Sequence, residues 1–219
     1  MIVAAILLAM QSAPAQPAEA FPAPWPDPER VMPGDGALTP HANSLEARRT
    51  MTRYAECVAR RSPDKVADVL RRDFRTSTYQ NGLRNLSRAN EGCAREVGFR
   101  GSMRMNELPF AGALAERMLR LNAEPLNRRL AKAVSGRKAA TFSPSDQIAM
   151  CTVRSAPDDV AALFATDVGT VAEATASKKV EAIAELCSKN VKLDTTTDGL
   201  RAIIATAAYR LLAAQESQS

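Results

Sequence analysis

Apolar side chains along this chain recur at intervals of three and four residues, which is the period of an amphipathic helix. The two clearest stripes share one spacing: Val66, Val69, Leu70 and Phe74, and later Val160, Leu163, Phe164 and Val168. A proline precedes each stripe by three residues, at the first position of a helix, where its missing N–H costs nothing. The pattern therefore predicts the same Pro-started helix twice.

The segment around each of these helices is also repeated. An offset of 94 residues places Cys57 on Cys151, and seven of the seventeen positions from 57 to 73 are then identical. Chance would give about one or two identities, so we infer an internal duplication. The same offset places Cys93 on Cys187 without a gap. The sequence predicts two tandem copies, residues 43–136 and 137–219.

Each copy is predicted to hold roughly four helices and no strand, since the chain has only 10 glycines and 5% aromatic residues. In the first copy, Asn43 and Glu46 form a capping box for a helix that runs to Arg61. Ser62 then caps the Pro-started helix. A third helix is expected over 78–94, with a counterpart at 170–189. The fourth helices are 108–121 and 199–215.

Two further features complete the predicted helical plan. The first copy has an extra short helix that begins at Pro125 and is stopped by Gly136. Ser143 and Pro144 begin the second copy. We therefore predict an all-α fold: two tandem copies of a roughly four-helix unit, each stapled by one disulfide, packed as a fused helical pair.

The four cysteines lie on the first and third predicted helix of each copy. Four cysteines allow three pairings, and the duplication selects the one within each copy: Cys57 with Cys93, and Cys151 with Cys187. A redox-active pair usually has Cys-X-X-Cys spacing, which is absent. A zinc site would need histidines or closely spaced cysteines. We predict structural disulfides.

The N-terminus carries the run MIVAAILLAM, followed by the small-residue cleavage pattern Ala18-Glu19-Ala20. Ten apolar residues are too few to span a bilayer but suit the core of a signal peptide. We predict a signal peptide over residues 1–20, cleavage near Phe21, and a periplasmic or secreted product with no transmembrane anchor. The alternative is an uncleaved N-terminal anchor, since no basic residue precedes the apolar run.

Residues 21–42 are rich in proline and hold the only tryptophan. One interpretation is a flexible, extended mature N-terminus. The other is that Phe21 and Trp25 dock in a groove between the copies.

Charge divides the two copies more sharply than any other property. Residues 46–138 hold 21 lysines and arginines against 10 acidic residues, and residues 139–219 hold 7 against 10. Arginine binds carboxylates and phosphates through its planar fork. The candidate anion-binding residues lie on and just beyond the first two helices: Arg48, Arg49, Arg60, Arg61, Arg71, Arg72 and Arg75. A solvated surface without a ligand is the alternative interpretation.

The sequence contains few residues that could form a catalytic site or bind a metal. The only histidine, His41, lies in the proline-rich segment, so we expect no Ser-His-Asp site, no metal and no cofactor. Few aromatics accompany the basic residues, so nucleic acid is not expected. Asp64 and Asp158 match across the copies, and the helix dipole explains both of them.

The signal peptide, the arginine-rich composition and the twin units C-x-x-R-x-x-P-D, at Cys57–Asp64 and Cys151–Asp158, resemble exported tandem-repeat helical proteins of α-proteobacteria. The resemblance covers residues 43–219. It implies a bacterial periplasm and no particular activity.

Three functions are compatible with this pattern. We favour a non-enzymatic binding or envelope-associated protein whose basic first copy contacts an anionic lipid head group, cell-wall polymer or acidic protein. The alternative is a carrier of an apolar small molecule or lipid, held between the copies by Met103, Met105, Met118, Phe110 and Ile203. The third is a carboxylate-dependent hydrolase. Oligomeric state stays open.

Overall fold

A computed structural model describes residues 45–98, 107–189 and 195–216. In these ranges the chain forms helices and turns, with no strand. The described part of the first copy contains six helices: α1 (Leu45–Arg61), α2 (Pro63–Leu70), α3 (Ser77–Ala89), α4 (Glu91–Glu96), α5 (Glu107–Leu119) and α6 (Leu126–Val134). Among the residues described in the second copy there are four helices: α7 (Pro144–Ser155), α8 (Pro157–Phe164), α9 (Val171–Ser188) and α10 (Thr197–Glu216). The predicted all-α fold with one disulfide in each copy is confirmed.

The two elbows predicted by the repeat have the same geometry. The residues between the paired helices are Ser62, with φ −140° and ψ 50°, and Ala156, with φ −140° and ψ 62°. Pro63 and Pro157 begin the helices that follow. The prediction that Ser62 caps α2 through its side chain is wrong, because its hydroxyl is hydrogen-bonded to the Asn90 side chain instead. Alanine fills the second elbow, so the turn itself needs no hydroxyl.

The third helix differs between the copies, although one helix was predicted in each. The first copy breaks at Asn90 into α3 and α4, whereas α9 continues unbroken. The Asn90 side chain donates to the Leu86 carbonyl at 2.9 Å, a local hydrogen bond that competes with helix continuation. The repeat places Ala184, a strong helix former, at the same position of α9. Cys93 therefore lies on the short α4.

The centre of the fold is the pair α5 and α10. α1 packs on α5, α7 packs on α10, and buried side chains of both copies form one hydrophobic core. α10 is apolar on nearly all sides, which is typical of a helix enclosed by others. Gly112 of α5 lies so near α10 that a Cβ atom there would stand 2.5 Å from the Cα atom of Ala202. The fused pair thus depends on small residues at this crossing.

The start of the second copy is as predicted, with Pro144 at the first turn of α7 and the Ser143 hydroxyl accepting a hydrogen bond from the Asp146 N–H. The extra helix α6 begins one residue after Pro125. The capping box at Asn43, the signal peptide and residues 21–42 with Phe21 and Trp25 lie outside the described residues. No helix in the described ranges is both long and apolar enough to cross a bilayer.

Candidate functional site

Both predicted disulfides are present. Cys57 and Cys93 are bonded with a Cα–Cα distance of 5.7 Å, and Cys151 and Cys187 with 5.9 Å. Each bridge closes a span of 36 residues. The first bridge is buried, whereas both cysteines of the second are partly exposed. The elbow and the bridge together hold the first helices of each copy as one rigid corner.

Four of the seven candidate arginines contact the second copy, and two of these, Arg48 and Arg49, lie on α1. Arg48 of α1 lies 2.6 Å from a carboxylate oxygen of Glu173 and 2.8 Å from one of Asp198. The Arg49 Nε–H donates to the Val168 carbonyl at 3.3 Å. The structure therefore uses Arg48 to join the copies, with its guanidinium already neutralised by two carboxylates.

Three more of the candidate arginines each lie beside a separate carboxylate. The nearest nitrogen–oxygen distances are 3.2 Å for Arg71 with Glu216, 2.5 Å for Arg72 with Asp68, and 2.7 Å for Arg75 with Asp73. Hydrogen bonds from Arg75 hold the pKa of the Asp73 carboxyl below its ordinary value. These one-to-one pairs leave little excess positive charge at α2 and the turn after it.

Arg60 and Arg61 are arranged differently, because they share one carboxylate. Their Nη2 atoms lie 2.7 and 3.3 Å from the two oxygens of Glu96 on α4. All three side chains are close to half exposed or more. Of the seven candidates, these two carry the excess charge at one point of the surface.

The structure also contains a buried charge network that the sequence analysis missed. The Arg201 guanidinium of α10 donates to Glu116 of α5 at 3.0 and 2.6 Å, and to Glu173 of α9 at 2.6 Å. Arg120 also binds Glu116, at 2.7 Å. The network therefore connects the central helix pair with α9 and, through Arg48, with α1.

Burial and charge act against each other within this network. Burial opposes ionisation of Glu173, but the Gly169 N–H and the two guanidiniums of Arg201 and Arg48 outweigh it and lower its pKa. Burial dominates at Asp198 and raises the pKa of that carboxyl despite the nearby Arg48. For Arg201, the bonded carboxylates outweigh burial, so its pKa lies above the ordinary value. The network joins helices of both copies and so holds the copies together.

A second buried arginine, Arg210, forms an ion pair near the C-terminal end of α10. Arg210 binds Asp146 of α7, and its guanidinium carbon lies 5.8 and 5.4 Å from the ring centres of Phe74 and Phe142. The two rings meet edge to face. Nearby, burial raises the pKa of Tyr79 to about 12. Because these side chains come from both copies, we infer that the cluster stabilises the packing of one copy against the other.

Among the described residues, the two cysteines that could bind a metal are engaged in a disulfide, and the residues proposed to hold an apolar ligand pack in or against the hydrophobic core. Ligand atoms of Cys57, Cys93 and Glu96 lie within 4.8 Å of one another, but the two sulfurs are joined in the disulfide and are not thiolates. Phe110 is buried, with its ring 5.5 Å from that of Tyr54. Other proposed carrier residues pack against the same core, namely Met118 and Ile203. Met103 and Met105 lie outside the described residues.

Comparison with known proteins identifies no relative. No family model matches the chain, and neither the curated proteins nor the solved structures contain a match. Candidate functions therefore rest on the residues and their geometry.

Proposed function

We propose that this is an exported, non-enzymatic binding protein of a bacterial periplasm, in which the first copy contacts an anionic component of the cell envelope. Its two disulfides are compatible with an oxidising compartment. The apolar run and the small-residue cleavage pattern at the N-terminus, which predict a signal peptide, support the same location.

The observation that carries the proposal is the set of exposed cations on the first copy that have, among the described residues, neither a carboxylate partner nor a contact with the second copy. We call this set the basic surface: Arg53, Lys65, Arg84, Arg88, Arg95 and Arg128. Arg84 and Arg88 are four residues apart on α3 and so share one helix face. An anionic surface would be attracted to these side chains without having to break an existing ion pair.

The contrast between the copies argues for a function beyond solubility. Several positions of the basic surface are neutral or acidic at the equivalent place in the second copy. Lys65 matches Asp159, Arg53 matches Gln147, and Arg88 matches Ala182. A shared scaffold whose first copy carries most of the unpaired positive charge suits contact with an anionic partner.

The test is binding of the mature protein to vesicles of anionic phosphatidylglycerol, with zwitterionic phosphatidylcholine vesicles as reference. Binding should weaken steeply from about 0.01 M to about 1 M salt, over which the Debye length falls from about 30 Å to about 3 Å. Isolated cell-wall polymer and an acidic protein are tested as competing anionic partners.

A matched pair of variants locates the contact. Lys65→Gln/Arg84→Gln/Arg88→Gln removes three charges from the basic surface, and Lys178→Gln/Lys179→Gln/Lys189→Gln removes three exposed charges from α9 and its C-cap. We expect the first variant to lose most of the salt-sensitive binding and the second to retain it. Equal losses would show a general charge effect and contradict the assignment to the first copy.

A further inference from the structure

The corner beside the buried disulfide holds two arginines around one carboxylate. Arg60 and Arg61 follow Cys57 on the last turn of α1, and Glu96 follows Cys93 on α4. The Cys57–Cys93 bond fixes these two helices relative to each other. Glu96 therefore holds side by side two guanidiniums that would otherwise repel each other.

Most hydrogen-bond donors of these guanidiniums face water. Each guanidinium has five N–H donors. Among the described residues, Arg60 and Arg61 each make a single hydrogen bond, through Nη2 to Glu96. Their side chains are 62% and 50% exposed. The pair thus presents two preorganised forks to solvent.

The local charge suits a dianion better than a single carboxylate. Arg60 and Arg61 with Glu96 have a formal charge of +1, and the exposed Arg95, next to Glu96 on α4, raises it to +2. A phosphate monoester carries about −1.5 to −2 at pH 7 and offers three oxygens to planar arginine forks. The charge of the phosphate monoester thus balances the formal charge of this corner, and its oxygens can accept hydrogen bonds from the arginine N–H groups.

Gly92 makes room for this arrangement. A Cβ atom at Gly92 would lie 2.8 Å from Nη1 of Arg61, so the guanidinium rests on the backbone of α4. The second copy keeps a cation at two of these positions, where Arg154 matches Arg60 and Lys189 matches Arg95. It replaces the other three, where Ser155 matches Arg61, Leu186 matches Gly92, and Asn190 matches Glu96. The Leu186 side chain is largely exposed. The two copies have diverged at the same corner.

We propose that Arg60 and Arg61, held together by Glu96, form with the neighbouring Arg95 a phosphate clamp that binds a phosphate monoester group of the envelope partner. The inference rests on the proposed function and names the chemical group that the first copy recognises. Binding is non-covalent, and Glu96 stays in place to hold the two forks.

The experiment measures binding to vesicles that contain phosphatidic acid, a lipid with a phosphate monoester head group. Arg60→Gln/Arg61→Gln should weaken binding about tenfold. The control Arg71→Gln/Arg72→Gln removes the same charge from exposed arginines that each have their own carboxylate, and it should change binding less than about threefold.

A variant that leaves every charge in place tests whether binding depends on the position of the Arg61 guanidinium as well as on its charge. Gly92→Ala would displace the Arg61 guanidinium while every charge remains, and alanine suits a helix better than glycine. We expect unchanged thermal stability and a loss of binding that is smaller than that of Arg60→Gln/Arg61→Gln but larger than that of Arg71→Gln/Arg72→Gln. Inorganic phosphate, tested as a competitor, distinguishes the source of the group: displacement indicates a site for phosphate itself, and no displacement indicates a head group in a bilayer.

The outcomes also separate the clamp from the proposed function. If both clamp variants bind as well as Arg71→Gln/Arg72→Gln, the clamp is wrong and the general anionic contact stands. If the wild-type protein binds neither phosphatidic acid, phosphatidylglycerol nor cell-wall polymer at low salt, both proposals are wrong.

Discussion

Arg201 of α10 binds Glu116 of α5 through two hydrogen bonds of 3.0 and 2.6 Å, at the junction of the two copies. Arg201 is only 6% exposed, and its remaining guanidinium nitrogen reaches Glu173. Such a pair is costly to bury, but removal of one member is costlier still, because an uncompensated charge is then left in the core.

Replacement of Arg201 by methionine should therefore lower the free energy of unfolding by about 3–5 kcal/mol, measured by urea denaturation. The double variant Arg201→Met/Glu116→Leu should recover part of this loss, because it also removes one of the stranded carboxylates. A double variant that is less stable than the sum of both single variants would contradict this interpretation of the pair.

The close crossing of α5 and α10 leads to a prediction at Gly112. A methyl group there would collide with the backbone of Ala202, which cannot move away as a flexible side chain can. Gly112→Ala should destabilise the protein by about 1–3 kcal/mol despite the better helix propensity of alanine. Gly92→Ala is the control in thermal unfolding, because its added methyl meets only the Arg61 side chain.

The two disulfides should differ in their reactivity. Thiol–disulfide exchange requires access to a sulfur atom, and Cys57 and Cys93 are buried whereas Cys151 and Cys187 are partly exposed. Under native conditions a mild thiol reductant should open Cys151–Cys187 first. Alkylation followed by peptide mass mapping over time checks the order, and equal rates would contradict it.

Loss of either bridge should still cost similar stability, since both close spans of the same length. The loop-entropy estimate for 36 residues is about 4 kcal/mol. Cys57→Ser/Cys93→Ser and Cys151→Ser/Cys187→Ser should therefore show comparable shifts in urea midpoint.

Acid stability should depend on Glu173 with a definite sign. Its folded-state pKa lies below the unfolded value of 4.5, so its contribution is fully present above pH 4.5 and is lost as the pH falls through the folded pKa. Glu173→Gln should flatten this part of the curve of unfolding free energy against pH.

Asp198 should act in the opposite direction. Its raised pKa means that the folded state binds the proton more tightly, so acidification relieves the cost of burying its charge. Asp198→Asn should therefore make the acid decline steeper than in the wild type. Urea titrations from pH 3 to pH 7 measure both slopes, and slopes that change in the same direction would contradict the assignment.

The sequence predicted those parts of the fold that are local or repeated. Helix periodicity, the prolines at the two elbows and the cysteine pairing could all be read because each is stated twice at one offset. The break at Asn90 was missed, although the amide side chain and its alanine counterpart, Ala184, were available as a signal.

The candidate site was predictable only in part. The arginine content showed that the first copy is basic. It could not show which arginines form an ion pair with a carboxylate and which do not. Arg48 finds its partner Glu173 at a distance of 125 residues along the chain, and Arg71 finds Glu216 at 145. Arg60 and Arg61 share Glu96 because the disulfide brings α4 against α1.

Most of the helices, their duplication and the two disulfides were predictable from the sequence, since each follows from local spacing or from comparison of one copy with the other. Which charges are neutralised depends on the tertiary structure. Arg201 and Arg210 lie within a largely apolar helix, and their buried carboxylate partners come from other helices. Ion pairing depends on the distance between two side chains in space. The amphipathic period of a helix predicts which of its faces is buried, but it does not predict which residue of another helix will pack against a given side chain.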